Sequence, residues 1–259
     1  SGLPPALVGS TLQAWYTESG VAIMTIGLLT LVGQPYIYKL FWAPILDRYI
    51  PPFLGRRRGW ICVFQILLTL AILGMTRLSP TTHPTLIAAL ALLIAFLSAS
   101  QDIGINGWMT DMGQANDRGM IAAANITGWR IAWIISGALA MILAQHIGWH
   151  QTYAVMAGLM LVSLIITLLA PEPDVTLHEL KGNWGQRIMT PFVDFFERMG
   201  WKLAIGILLI MILYKLGDAF TLSLNTTFLL RGMHFSLTDV GSVSKAFGMT
   251  ASIAGGIIG

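Results

Sequence analysis

The chain has 259 residues, 55% of them hydrophobic and 10% charged, with a mean hydropathy of +0.71. Soluble domains carry about a quarter charged residues, so the composition excludes a soluble globular fold and points to an all-α integral membrane protein. The net charge of +3 is spread over loops between apolar runs, which excludes a nucleic-acid surface. The single cysteine, Cys62, permits neither an internal disulfide nor a zinc cluster, and no metal or cofactor is expected.

Eight apolar spans are predicted, at about 1–16, 21–45, 59–77, 85–109, 118–144, 150–170, 202–228 and 238–259. At about 1.5 Å per residue, most are long enough to cross a hydrocarbon layer of roughly 30 Å with some tilt. The chain begins at Ser1 without Met, shows no signal peptide, and ends inside an apolar Gly-rich run, so the first and last spans are expected to be incomplete. Three regions follow: a six-helix bundle over 1–170, a linker over 171–201, and the start of a second bundle over 202–259. In the linker, Ile188, Phe192, Phe195 and Met199 have helical spacing, which predicts an amphipathic helix on the membrane surface.

Basic residues set the orientation. The loops after spans two, four and six carry Arg48, Arg56, Arg57, Arg58, Arg118, Lys181, Arg187, Arg198 and Lys202, while the opposite loops carry Arg77 and Arg231. This asymmetry places the first set in the cytoplasm.

Four basic residues, Lys39, Arg130, Lys215 and Lys245, fall inside spans, as do Asp102 and Asp218. Charges in the bilayer normally face a bundle interior or a wet cavity. Lys39 and Lys245 lie about 12 Å from a span end, within snorkelling reach, whereas Arg130 and Lys215 are deeper. If the groups share a cavity, it is net positive and favours an anionic substrate.

In span four, Ser98, Asp102 and Asn106 recur at i, i+4, i+8 and share a helix face, with Gln101 and Trp108 on adjoining faces. That polar stripe predicts a cavity-lining helix. Asp102 is either a proton-coupling acid or one half of a structural ion pair, and a coupling acid often does both. Lys215 and Asp218 can pair at i, i+3 in span seven. Amides and aromatics accompany the charges: Gln13 and Trp15, Gln34 and Tyr38, Asn125 and Trp129, and Asn225. Such groups suit a sugar ring, although Trp15 at the end of span one also fits an interfacial belt. Small residues recur every four positions from Gly128 to Ala144, and again at Gly248, Ser252 and Gly256. If these stripes meet, they form a close seam between the two halves.

The stretch APILDRYIPPFLGRRRGW between spans two and three is similar to the loop motif of the major facilitator superfamily. Ala43 holds the small position, followed by Asp47, Arg48, Gly55, Arg56, Arg57 and Arg58, with IPPFL inserted before the glycine. The resemblance implies that Asp47 and the arginines latch a cytoplasmic gate. Further blocks, SGLPPAL, STLQAW, SASQDI, LAPEP, YKLGDAF and TTFLLRG, run in order along nearly the whole chain. Together they resemble the AmpG-type muropeptide permeases, whose members are longer and have at least twelve helices.

The resemblance implies proton-driven import of anhydromuropeptides (N-acetylglucosamine–anhydro-N-acetylmuramyl peptides) across the bacterial inner membrane. This flow serves peptidoglycan recycling and is linked to β-lactamase induction. It implies a multi-pass monomer whose partners are substrate, protons and lipid. Family members commonly carry an acid at the position of Asn106 and a base at that of Met109. Both are neutral here, which moves the expected coupling role to Asp102, with Asp218 second. The expected substrate contacts are Gln13, Gln34, Lys39, Gln101, Asn125, Trp129, Arg130, Lys215 and Lys245. Another organic-anion porter, for acetyl-coenzyme A or a sugar phosphate, would need the same basic cavity. An intramembrane enzyme would call for an acid cluster at a helix end, where only Asp111 and Asp117 stand. The 259 residues alone are not expected to transport.

Overall fold

A computed structural model of the chain describes residues 1–49, 51–113, 117–173 and 193–251, with only the backbone of 47, 118 and 218–223. Every regular element among them is helical. Spans three to six follow the apolar runs: Arg56–Met75, Pro84–Met112, Arg118 to Ile147 through a π-helical segment, and Trp149–Leu169. Their outward faces carry Leu70, Leu92, Val162, Ile165 and Ile166 into the lipid, as a membrane helix requires.

Spans one and two are segmented rather than continuous. Span one runs Leu3–Ala6, a π segment at Leu7–Thr11, then Leu12–Glu18, and Gly9 leaves helical geometry at φ −90°, ψ −106°. Span two alternates α and 3-10 turns from Ile23 to Phe41 before a last helix, Ala43–Arg48. Pro35 at the start of Gln34–Tyr38 lacks an N–H to donate back, and 3-10 turns absorb the break. Hydropathy reads these stretches as spans because it registers apolar length and not backbone continuity.

Span seven is Trp201–Ser223, broken at Leu224 and resumed by Asn225–Thr227 and a π turn at Phe228–Gly232. The preceding helix Val193–Met199 meets Trp201–Gly217 at 112°. The linker helix predicted from Ile188 is described only from 193 onward; Ile188 and Phe192 lie outside the described residues.

The core forms where spans one, three, four, five and six converge. Span three packs between spans four and six. Leu7, Leu12, Tyr16, Leu68, Ile72, Ile94, Met141 and Met156 are fully buried there. Trp15 is 3% exposed, stacks on Trp149 at 5.8 Å and tilts against Tyr153 at 5.1 Å. It therefore belongs neither to an interfacial belt nor to a sugar platform.

The first six spans meet spans seven and eight at the end remote from the arginine cluster. The Arg231 guanidinium donates to the Thr17 carbonyl at 2.7 and 3.1 Å and to the Val21 carbonyl at 2.9 Å. The Thr17 and Thr227 hydroxyls are 3.0 Å apart, and the Thr238 N–H donates to the Gln145 side chain at 2.7 Å. Spans five and eight pack closely at Gly241, where a Cβ would stand 2.8 Å from the Ala138 carbonyl oxygen.

The small-residue seam differs from the expected one. Gly2 lies against Trp129 and Ala132, and the Thr11 hydroxyl donates to the Ser136 carbonyl at 2.6 Å, so this part of the stripe seats span one. The wide turn at Ile134–Leu139 shifts the helix register, and the contact with span eight falls on Ala138 and Gly241 instead. Among the described residues Gly248 meets only its own helix, while Ser252 and Gly256 lie outside them.

Candidate functional site: two adjoining cavities and an ion pair

Two cavities open between the spans. One, of about 460 Å³, is lined by residues including Tyr36, Lys39, Asp102, Trp129 and Trp133. The other, of about 350 Å³, is lined by residues including Ser10, Gln13, Trp133, Asn225 and Lys245. They share Gly9, Leu29, Thr30 and Trp133 as a common wall. Both volumes lie in the range of small-molecule sites, roughly 300–1,000 Å³. The backbone irregularities explain why space exists there. Gly9 interrupts span one, 3-10 turns carry Leu29 to Gly33, and span seven breaks just before Asn225. Discontinuous helices at mid-membrane expose polar backbone only where it lines a cavity.

In the larger cavity, Lys39 Nζ donates to Asp102 Oδ2 at 2.5 Å, joining spans two and four. The side chains are 34% and 23% exposed, so the pair is reachable yet sheltered. Asn106 Nδ2 donates to the same oxygen at 3.3 Å, which puts the i, i+4 stripe of span four on one face. Trp129 and Trp133, one helical turn apart, tilt against each other at 4.9 Å. Trp133 and Tyr36 were not legible as site residues. An aromatic in an apolar span carries no mark that separates lining from packing.

The remaining expected contacts disperse. Gln13 and Lys245 line the smaller cavity. Gln101 is 1% exposed with Oε1 unpartnered, and it lines neither cavity. Gln34, Asn125 and Arg130 are half-buried, and they also line neither cavity. Lys215 stands on an exposed face of span seven, 5.7 Å over the Tyr214 ring. The Lys215–Asp218 pairing lies outside the described side chains. Depth along the helix axis therefore misjudges the four cations. Lys39 and Lys245 line these two cavities and, among the described residues, the deeper Arg130 and Lys215 do not, because helix rotation as well as rise decides which face a side chain shares.

The arginine cluster is tied inside the first bundle. Arg56 Nη2 and Arg57 Nε donate to Asp111 Oδ2 at 3.0 and 2.7 Å, joining spans three and four. The Arg57 guanidinium lies over Gly107, where a Cβ would come within 2.5 Å of it. Arg58 Nη2 donates to the Leu168 carbonyl at 2.6 Å. Glu172 accepts the backbone N–H groups of Arg57 and Arg58 at 2.9 and 3.0 Å, an acid capping the N-terminus of a 20-residue helix. Gly55, at φ +81°, makes the approach possible, since a Cβ there would stand 2.6 Å from the Glu172 carboxyl group. Arg48 is exposed, and the Asp47 side chain lies outside the described residues. Asp111 and Glu172 are the partners sequence reading missed, since neither falls within the motif. Replacing Glu172 by Ala is expected to lower stability by about 1 kcal/mol. Thermal unfolding of the purified protein in detergent checks this, with Glu172→Gln falling in between.

A helical membrane protein with broken helices around a mid-membrane cavity has the architecture of a secondary transporter. The major facilitator superfamily model matches residues 1–259, and the chain belongs to that family. The chain is 48% identical over 260 residues to the anhydromuropeptide permease of Escherichia coli (strain K12), covering all of this chain and 52% of that protein. It is 37% identical over 260 residues to an uncharacterized protein of Haemophilus influenzae, covering all of this chain and 61% of that protein. It is 30% identical over 268 residues to a putative transporter AmpG 4 of Rickettsia conorii, covering all of this chain and 64% of that protein. The chain thus spans about half the length of the Escherichia coli permease. Membership makes it a multi-pass membrane protein of that superfamily.

Proposed function

We propose that this chain is the first bundle and the opening of the second in an inner-membrane permease. The permease imports anhydromuropeptides from periplasm to cytoplasm together with protons that enter down their gradient, in the service of peptidoglycan recycling and, through it, β-lactamase induction. It works as a monomer, with the arginine-rich loops in the cytoplasm. The observation that carries the reading is 48% identity along the whole chain to an anhydromuropeptide permease. The cavities agree with such a cargo: they offer cations for carboxylates and tryptophan faces beside polar groups for sugars.

In this reading Lys39 and Asp102 couple the proton. While ionised, the pair holds spans two and four together. Protonation of Asp102 removes its charge, frees Lys39, and lets the halves rock about the cavities. In this reading the contacts of Arg231, Thr17, Thr227 and Gly241 belong to the closure of the periplasmic side. Asp218 is the second coupling candidate. Asp47 and Arg48 act with Arg56, Arg57 and Arg58 at the cytoplasmic gate.

The test is uptake of labelled anhydro-disaccharide peptide by cells lacking their own permease and expressing the protein in its native length. Uptake that a protonophore abolishes supports the reading. Absent uptake, or uptake displaced by acetyl-coenzyme A or a sugar phosphate in preference to muropeptide, overturns it in favour of an organic-anion porter.

A further inference from the structure

The Lys39–Asp102 pair uses only part of what its two groups offer. An ammonium group has three N–H donors, and among the described residues Lys39 spends one, on Asp102 Oδ2 at 2.5 Å. Its side chain is 34% exposed and lines the larger cavity, so a guest there can reach the remaining donors. Asn106 Nδ2 donates to the same Oδ2 at 3.3 Å, which leaves Oδ1 of Asp102 without a hydrogen bond among the described residues. Lys39 also opens the 3-10 turn Lys39–Phe41, a form of backbone that often marks a hinge. The other titratable groups lining this cavity are the Tyr36 phenol and the Ser1 amino group, while Arg130 of span five lines neither cavity.

Charge decides what such a pair can accept. As it stands, ammonium and carboxylate cancel. A guest carboxylate bonded to the same nitrogen would bring two carboxylate oxygens to about 4–5 Å from each other. Like charges at that range oppose each other's ionisation, and a net charge sheltered in a membrane is costly. Both problems vanish if Asp102 takes a proton as the guest arrives, and Oδ1 is the oxygen left to take it. The proton comes from water, the carboxyl group becomes neutral, and the ammonium group turns to the guest. The charges at the site again sum to zero.

We propose that Lys39 is a cation shared in turn between Asp102 and the cargo. Asp102 holds it when ionised, and a carboxylate of the cargo holds it when Asp102 is protonated. This handover deepens the muropeptide reading, on which it rests, and assigns Lys39 to a carboxylate of the stem peptide. Cargo and proton then bind together, and departure of the cargo returns Lys39 to Asp102 as the proton leaves.

The experiment is equilibrium binding to the purified protein in its native length, in detergent near neutral pH. Two anhydro-disaccharide peptides are compared, one with free stem carboxylates and one with those groups converted to carboxamides. Calorimetry in two buffers of different ionisation heat counts the protons. Wild type is expected to take up about one proton for each free acid bound and none for the carboxamide. Asp102→Asn holds Lys39 less firmly. It is expected to bind the free acid about tenfold more tightly than wild type, without proton uptake and with unchanged affinity for the carboxamide. The double substitution Lys39→Gln/Asp102→Asn differs from it only in the cation and is expected to lose that gain. Lys39→Arg/Asp102→Asn, which keeps a cation, is expected to retain most of it. Whatever Tyr36 and the Ser1 amino group contribute is common to all four proteins. The handover is overturned if wild type binds the free acid without proton uptake, a readout that needs no variant. It is also overturned if Lys39→Gln/Asp102→Asn binds the free acid as tightly as Asp102→Asn. If wild type binds neither compound, the muropeptide reading itself fails, and the handover with it.

Discussion

Replacing Asp102 by Asn is expected to abolish accumulation of substrate against its gradient while leaving exchange intact. Asn keeps the size and an oxygen that can accept from Lys39, but it cannot carry a proton. One net charge crossing a potential of 100 mV supplies about 2.3 kcal/mol, a concentrating power of about 50-fold for each proton carried in excess of the cargo's own negative charges. A variant without the coupling acid loses that factor and only equilibrates substrate. The measurement is twofold, net uptake into energised cells and counterflow in vesicles preloaded with unlabelled muropeptide. Loss of the first with survival of the second is the expected result. Net uptake that survives in Asp102→Asn moves the coupling to Asp218 or elsewhere. Asp102→Ala is expected to do further harm, because it leaves Lys39 sheltered and unpaired at a cost of about 1–3 kcal/mol. The double substitution Lys39→Met/Asp102→Leu is expected to restore stability and not transport, since apolar residues of similar size can replace a sheltered pair without loss.

Gly241→Val is expected to hold the periplasmic side open. The Cβ would stand 2.8 Å from the Ala138 carbonyl oxygen and 3.3 Å from both Ile142 and Met141. Backbone oxygen cannot swing aside like the end of a side chain, so spans five and eight must separate. Overpacking of this kind costs about 1–3 kcal/mol. Charged to the closed state alone, that shifts the balance toward the outward-facing form by about 5–150-fold. The readout is labelling of Ser10→Cys, in the smaller cavity, by a membrane-impermeant thiol reagent from the periplasmic side. The background carries Cys62→Ser; Cys62 is itself buried. Labelling is expected to rise and uptake to fall. Arg231→Gln is expected to act in the same direction, because it removes the three hydrogen bonds that tie the end of span seven to the carbonyls of Thr17 and Val21. Unchanged labelling in both variants would show that these contacts do not form the periplasmic seal.

Much of this protein is legible without coordinates. Apolar runs of bilayer length locate spans three to six within a few residues, because a helix is the only way one segment can satisfy its own backbone in lipid. The 98–106 stripe puts Asp102 on a polar face, because an i, i+4, i+8 spacing leaves no other choice for a helix. The ordered blocks from SGLPPAL to TTFLLRG lead to the family. What hydropathy cannot register is helix rotation and interruption. It leaves the breaks at Gly9, Gly33–Pro35 and Leu224 unmarked, and those breaks create the space for the cavities. It also misjudges Trp15, whose indole is consumed by Trp149 and Tyr153.

Composition and the length of the apolar runs determined that this chain lives in a membrane, and the charge pattern that a small set of ionisable groups must be sheltered within it. These follow from the cost of placing charge and unpaired backbone in hydrocarbon, a cost that depends on composition and order along one helix. Tertiary structure alone decided that Lys39 is the partner of Asp102, that Asp111 and Glu172 hold the arginine cluster, and that Trp133 faces the same cavity as Lys245. Each of these joins residues on different helices. Which faces meet is set by close packing at Gly2, Gly107 and Gly241 and by the π turns that shift the register around them, contacts that exist only once the helices are assembled.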